Sequence, residues 1–138
     1  AWKFDELVAM RNEMPFADDV KWVGYMNVDE LSRVTGAAYA MVYPSLFEGF
    51  GIPILEGLQC HVPAIVSNTS SMPEVGGDAV LLTDPEDPED IAAKMGMIYK
   101  DETLRARLVV AAPVQAAKFS WDKAAEILWE NILRCAED

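Results

Sequence analysis

Short, unbroken apolar runs alternate with helix-forming segments along most of this chain. "YAMVYPS" (39–45), "PAIVS" (63–67) and "AVLLTD" (79–84) read as strands. Each is apolar along its length rather than at every second position, so each is expected to be buried on both faces. That pattern belongs to parallel sheets covered by helices on either side. The intervening segments supply the helices: "VDELSRVTGAA" (28–38), with Asn27 placed to cap it, and "IPILEGLQC" (52–60). Upstream, "FDELVAMRNEM" (4–14) has helical spacing and ends at Pro15, and "VKWVGYM" (20–26) is rich in β-forming residues. Downstream, "NTSSMPEVGGD" reads as turn chemistry. "DPEDPED" opens a helix over about 88–100, and a second helix is expected over 101–117, broken or kinked at Pro113. Ser120 can cap a last helix, "WDKAAEILWENILRCAE". The fold class that follows is α/β, a doubly wound parallel sheet of the Rossmann-like kind.

The segment "PSLFEGFGIPILEG" (44–57) is the strand-to-helix corner where a ligand is expected. Open α/β sheets bind ligands at the carboxyl ends of their strands, and this corner follows directly on "YAMVY". Gly49 and Gly51 permit positive φ and close approach of a ligand to the main chain. The helix N-terminus beyond them offers free N–H groups and a partial positive charge suited to phosphate. Glu56 stands about five residues into that helix, roughly 7.5 Å along its axis. That is about the reach from a diphosphate to the ribose of the same nucleotide. Glu48, ahead of the helix, would lie near whatever is attached beyond the diphosphate. On spacing alone, ordinary turn chemistry and a solvated glutamate are the commoner readings of such a corner.

Composition narrows the partners. The formal net charge is −12 over 138 residues, which disfavours nucleic acid and anionic membranes, since both need a basic face. With 51% apolar residues the chain can build a core, and no apolar run of ~18 residues is present to cross a bilayer. Cys60 and Cys135 follow no metal or redox spacing and are expected to be free buried thiols of a reducing compartment. One histidine, His61, gives no basis for a His-rich metal site. It is read as a helix-end residue, hydrogen-bonded or half exposed. "DPEDPED" has the wrong ligand spacing for a calcium loop. Trp121 and Trp129, eight apart on the last helix, are expected in the core or against another domain.

"PSLFEGFGIPILEG" resembles the signature of the retaining glycosyltransferases of two-domain GT-B architecture, the glycogen-synthase-like group and glycosyltransferase family 4. The family motif is Glu, seven residues, Glu, with Gly-Phe-Gly after the first. Here Glu48, Gly49, Phe50, Gly51 and Glu56 complete it. "VKWVGYMNVDELSRVTGAAYAMVYPS" is similar to the segment preceding the motif, "PAIVSNTSSMPEVGGDAVLLTDPEDPEDIAAKM" to the one following, and "FSWDKAAEILWENI" to the closing helix.

The resemblance implies that residues 1–138 form the carboxyl-terminal, nucleotide-sugar-binding domain, without its first elements and without the amino-terminal acceptor domain. It implies transfer of a sugar from a nucleotide-sugar with retention at the anomeric carbon. Glu48 would contact the donor sugar near the reacting carbon, and Glu56 would bind the ribose. Gly49, Phe50, Gly51 and Ile52 would cradle the diphosphate and sugar, with Met26 beside the base. No cofactor and no metal are expected; helix dipole and basic side chains would stabilise the leaving diphosphate. The acceptor would be a saccharide or a lipid-linked saccharide held by the other domain. The whole protein is expected in the cytoplasm, free or peripheral at a membrane, in polysaccharide biosynthesis.

Two departures qualify the likeness. The family's Arg and Lys that pair with the diphosphate have no counterpart, since Lys3 and Lys21 do not match them. His61 stands where relatives usually carry Gly after the helix. The chain alone is therefore expected to be inactive, with the helix N-terminus as its main anion-binding feature. A GT-B epimerase or phosphorylase, or a non-catalytic nucleotide-binding module, are the rival readings.

Overall fold

The structure is a computed structural model that describes residues 4–137. Lys3 lies outside these residues. Among the described residues, seven α-helices and three strands follow one another: α1 (Phe4–Glu13), α2 (Val28–Gly36), β1 (Met41–Tyr43), α3 (Ile52–Gln59), β2 (Ala64–Ser67), α4 (Met72–Gly76), β3 (Val80–Thr83), α5 (Pro88–Lys100), α6 (Glu102–Ala116) and α7 (Trp121–Glu137). The strands form one parallel sheet in the order β1-β2-β3. Val42 pairs with Ile65, and Ile65 with Leu81.

β2 carries the core because it is central. All four of its residues are buried. Successive side chains of a strand point to opposite faces, and the two faces are covered differently. Ala64 and Val66 join Ile54 and Leu58 of α3, Met72 and Val75 of α4, and Ala112 and Ala116 of α6. Ile65 points the other way, to Ile98 of α5 and Leu108 of α6. Helices on both faces of a parallel sheet are the doubly wound arrangement expected from the apolar runs.

The flanking strands are less enclosed than their sequences suggest. Val42 of β1 is 37% exposed and Leu82 of β3 is 40% exposed. Each flanks β2 on one side only, so part of its outer face stays open. The segment 20–26 does not form a strand, and Tyr25 is 96% exposed. β-forming residues need a neighbouring strand to pair with, and none reaches them among the described residues. This segment rests instead against α1, where Arg11 donates to the Val20 carbonyl at 3.0 Å and Phe4 meets Trp22 edge-on at 5.4 Å.

Local signals explain most helix ends. Asn27 and Glu30 exchange hydrogen bonds in a capping box at the start of α2. Asp87 caps α5 by accepting from the Glu89 and Asp90 N–H groups. α6 continues through Pro113 to Ala116 instead of breaking there. Pro113 removes only the N–H that would meet the Val109 carbonyl, and the helix closes past it, with the Ala117 N–H donating to the Pro113 carbonyl at 3.0 Å. The stretch read as turn contains the short helix α4. Its far end is held by Gln115, whose amide donates to the Glu74 and Val75 carbonyls at 3.0 Å each. Gly77 is required there: its φ is +50, and a Cβ would lie 2.4 Å from the Gln115 amide oxygen.

Two other expectations change. Cys60 is half-buried and Cys135 exposed, both as free thiols, so neither is a core residue. Trp121 is 88% exposed and Trp129 61% exposed, so neither belongs to this domain's core. α7 carries its apolar residues on one open face. No helix is long and apolar enough to cross a membrane among the described residues.

Candidate functional site

β1 and β2 run parallel, so their carboxyl ends and the loops beyond them share one edge of the sheet. The loop 44–51 leaves β1 and enters α3; the loop 68–71 leaves β2 and enters α4. Glu48, Gly49, Phe50, Gly51 and Ile52 are contiguous at this corner. Glu56 stands on the outer, exposed side of α3, and its side chain has no hydrogen-bond or ion-pair partner among the described residues. Met26 is half-buried beside the Asn27 cap of α2, and α2 packs against α3. Its connection to the corner therefore runs through that helix.

Gly51 takes φ +94 as the residue before α3. A Cβ there would meet Ile54 Cδ1 at 3.0 Å. Gly49 differs from the sequence expectation: its φ is not in the left-handed region, and a Cβ would touch nothing within 4 Å. What Gly49 contributes is an uncovered stretch of main chain. Phe50 is anchored by an edge-on contact with Phe119, ring centroids 5.5 Å apart. Ile52 is 55% exposed at the first turn of α3.

Glu48 is oriented from behind. Tyr43 Oη donates to Glu48 Oε1 at 2.6 Å, and Ser45 Oγ donates to the same oxygen at 3.0 Å. Both bonds favour the carboxylate over the acid, so they lower the Glu48 pKa; the Tyr43 hydroxyl, spent on the same bond, is raised. Oε2 carries no hydrogen bond among the described residues. The result is an ionised carboxylate with one oxygen tied down and one available.

The loop's carbonyls are tied as well. Ser67 Oγ donates to the Ser45 carbonyl at 2.5 Å, and Thr69 Oγ1 to that of Leu46 at 3.2 Å. Ser70 Oγ donates to the Glu48 carbonyl at 2.5 Å and accepts from the Glu48 N–H at 3.4 Å. Ser71 Oγ shares its one hydrogen between the Glu48 and Phe50 carbonyls, at 3.1 and 2.9 Å. From sequence, Ser67 reads as the end of a strand, and Thr69, Ser70 and Ser71 read as turn formers. Their signal was present as a Ser/Thr cluster at the carboxyl end of a strand, but the pairing of the two loops depends on strand order.

His61 lies at the far end of α3 from the corner, exposed and with φ 60. Its N–H donates to the Leu58 carbonyl at 3.0 Å, and the Val62 N–H to that of Gly57 at 3.0 Å. This is the paired closure that glycine usually provides after a helix. The helix-end reading of His61 thus has a geometric basis. No three His, Cys, Asp or Glu side chains are grouped to hold a metal ion among the described residues.

Comparison with known proteins gives concordant matches. Residues 3–115 match the family profile of glycosyl transferases group 1. O-antigen chain mannosyltransferase B of Escherichia coli is 41% identical over 103 residues, covering 75% of this chain and 27% of that protein. A D-inositol 3-phosphate glycosyltransferase of Corynebacterium jeikeium is 34% identical over 128 residues, covering 91% of this chain and 30% of its own length. Sucrose-phosphate synthase of Thermosynechococcus elongatus superimposes with a TM-score of 0.82 over 98% of this chain and 34% of its own, at 23% identity. That last likeness shows the fold, a Rossmann-like domain of GT-B type. The chain spans between 27% and 34% of the length of these relatives.

Proposed function

The chain belongs to the glycosyl transferases group 1 family, and from that premise we propose that it supplies the nucleotide-sugar-binding site of a retaining glycosyltransferase. The observation that carries the reading is the corner 44–56. Glu48, Gly49, Phe50, Gly51 and Ile52 stand together at the carboxyl edge of the sheet, with Glu56 free on the helix behind them.

Each group has a chemical task in this reading. N–H groups before α3 donate to the diphosphate, and the helix dipole attracts its charge. Glu56 accepts from the ribose hydroxyls. Glu48 presents Oε2 to a hydroxyl of the donor sugar near the reacting carbon. Phe50 and Ile52 line the passage between them, and Met26 lies toward the base. The leaving diphosphate is stabilised without a metal ion. E. coli relatives at 41% and 35% identity are mannosyltransferases by name, which supports a saccharide acceptor for the whole protein.

The chain by itself binds donor and transfers nothing. Transfer needs the acceptor held in line with the donor, and holding two reactants together supplies up to about 7–11 kcal/mol of the barrier. The test of the whole reading is sugar transfer by the full-length parent. Product configuration is followed by NMR from the first turnovers. Retained configuration supports the proposal; inverted product, or hydrolysis alone, refutes it.

A further inference from the structure

We propose that Ser70 and Ser71 are positioning residues that turn the Gly49 and Gly51 N–H groups toward the open side of the corner, as donors to a diphosphate. The inference rests on the reading of this corner as a nucleotide-sugar site.

In a trans peptide the C=O of one residue and the N–H of the next point in opposite directions. No cis peptide occurs among the described residues. Ser70 and Ser71 hold the Glu48 carbonyl, and Ser71 also holds that of Phe50. Fixing those two carbonyls toward the 68–71 loop directs the Gly49 and Gly51 N–H groups away from it. Neither N–H has an acceptor among the described residues. Gly51 is buried, and a buried residue's N–H ordinarily finds a partner.

Two further features show that these serines are committed to the loop. Ser71 is the N-cap residue of α4, yet makes no capping bond. A serine in that place normally accepts from the first turn of its own helix; here the hydroxyl donates across to the neighbouring loop. Ser70 is held at φ 57, one of two non-glycine residues with positive φ among those described. A left-handed backbone at a serine is strained, and strain of this kind persists where surrounding contacts enforce it. Here that conformation accompanies the paired bonds between Ser70 and Glu48.

The experiment uses the 15N-labelled chain in a weakly aligning medium. Residual dipolar couplings report the directions of the Gly49 and Gly51 N–H bonds whether or not a ligand binds. Titrations with inorganic pyrophosphate and with UDP, GDP and ADP then report affinity. Ser71→Ala is expected to change both couplings while those of α5 stay as in wild type, and to weaken pyrophosphate binding at least about tenfold. Ser71→Thr, which keeps the hydroxyl, restores both. Ser70→Gly, which suits the left-handed backbone and deletes the side chain with its hydroxyl, gives a variant expected to fold and to show the same direction of change. Wild-type couplings in Ser71→Ala and Ser70→Gly overturn the proposal, as do altered couplings with unchanged affinity. Failure of the wild-type chain to bind pyrophosphate or any nucleoside diphosphate overturns the donor-site reading instead. It removes the purpose assigned to the serines, and the couplings then report a clamp of structural use alone.

Discussion

Tyr43 donates its phenolic hydrogen to Glu48 across 2.6 Å, from the last residue of β1 to the loop that strand feeds. The bond lowers the Glu48 pKa, with Ser45 adding to the effect. A carboxylate whose folded pKa is depressed contributes stability above its ordinary value, here 4.5. That contribution is lost as pH falls through the depressed folded value. Tyr43→Phe removes the larger cause and keeps the ring. Glu48 should then titrate at higher pH than in the wild type, read directly by carboxyl 13C NMR. An unchanged midpoint would show that the Tyr43 hydroxyl does not hold this carboxylate in solution.

Glu56→Ala should weaken nucleoside-diphosphate binding and leave the fold intact. The side chain is exposed and makes no bond within the domain, so its removal costs the protein little. A ribose held by a charged acceptor loses about 1.5–3 kcal/mol without it, or about ten- to hundred-fold in affinity. Calorimetry on the two chains decides it. Equal dissociation constants would take Glu56 out of the site.

His61→Gly should raise stability by roughly 1 kcal/mol. The present residue closes α3 at φ 60, and a left-handed backbone costs an L-residue about 1–2 kcal/mol. Glycine removes that cost but regains some entropy in the unfolded chain. Urea unfolding at pH 7 measures the difference. A loss of stability would mean that the imidazole contributes more than its backbone conformation costs.

How much could be seen in the sequence varied with how local the cause was. The capping box at Asn27 and the cap at Asp87 depend on residues within three positions, and both formed where expected. The apolar runs located β1, β2 and β3, although only β2 is enclosed on both faces. The segment 20–26 carries similar residues and stays unpaired, since pairing depends on a neighbour that composition cannot specify. The corner at Glu48 was legible from its glycines and its two carboxylates. The bonds from Tyr43 and from the serines were not. The serine bonds arise because parallel pairing of β1 with β2 brings residues 21 to 23 positions apart to one edge, whereas the Tyr43 bond spans five positions and depends on how the loop after β1 turns back. Ser71 lies in a stretch that reads as turn; it stands at the start of α4, and its hydroxyl goes to the neighbouring loop.

The measurement that tests the central claim most directly is binding of nucleotides by this chain alone. The purified protein is titrated with UDP, GDP and ADP, and with a sugar conjugate of each, with and without EDTA, and followed by thermal unfolding. The account predicts that one base is bound and that its sugar conjugate is bound as well. It predicts stabilisation of about 2.7 kcal/mol at a hundredfold excess over the dissociation constant, unchanged by the chelator. The opposite result, in which no nucleotide or nucleotide-sugar shifts the unfolding transition or binding vanishes with EDTA and returns with magnesium or manganese, would contradict a metal-free donor site at Glu48 and Glu56.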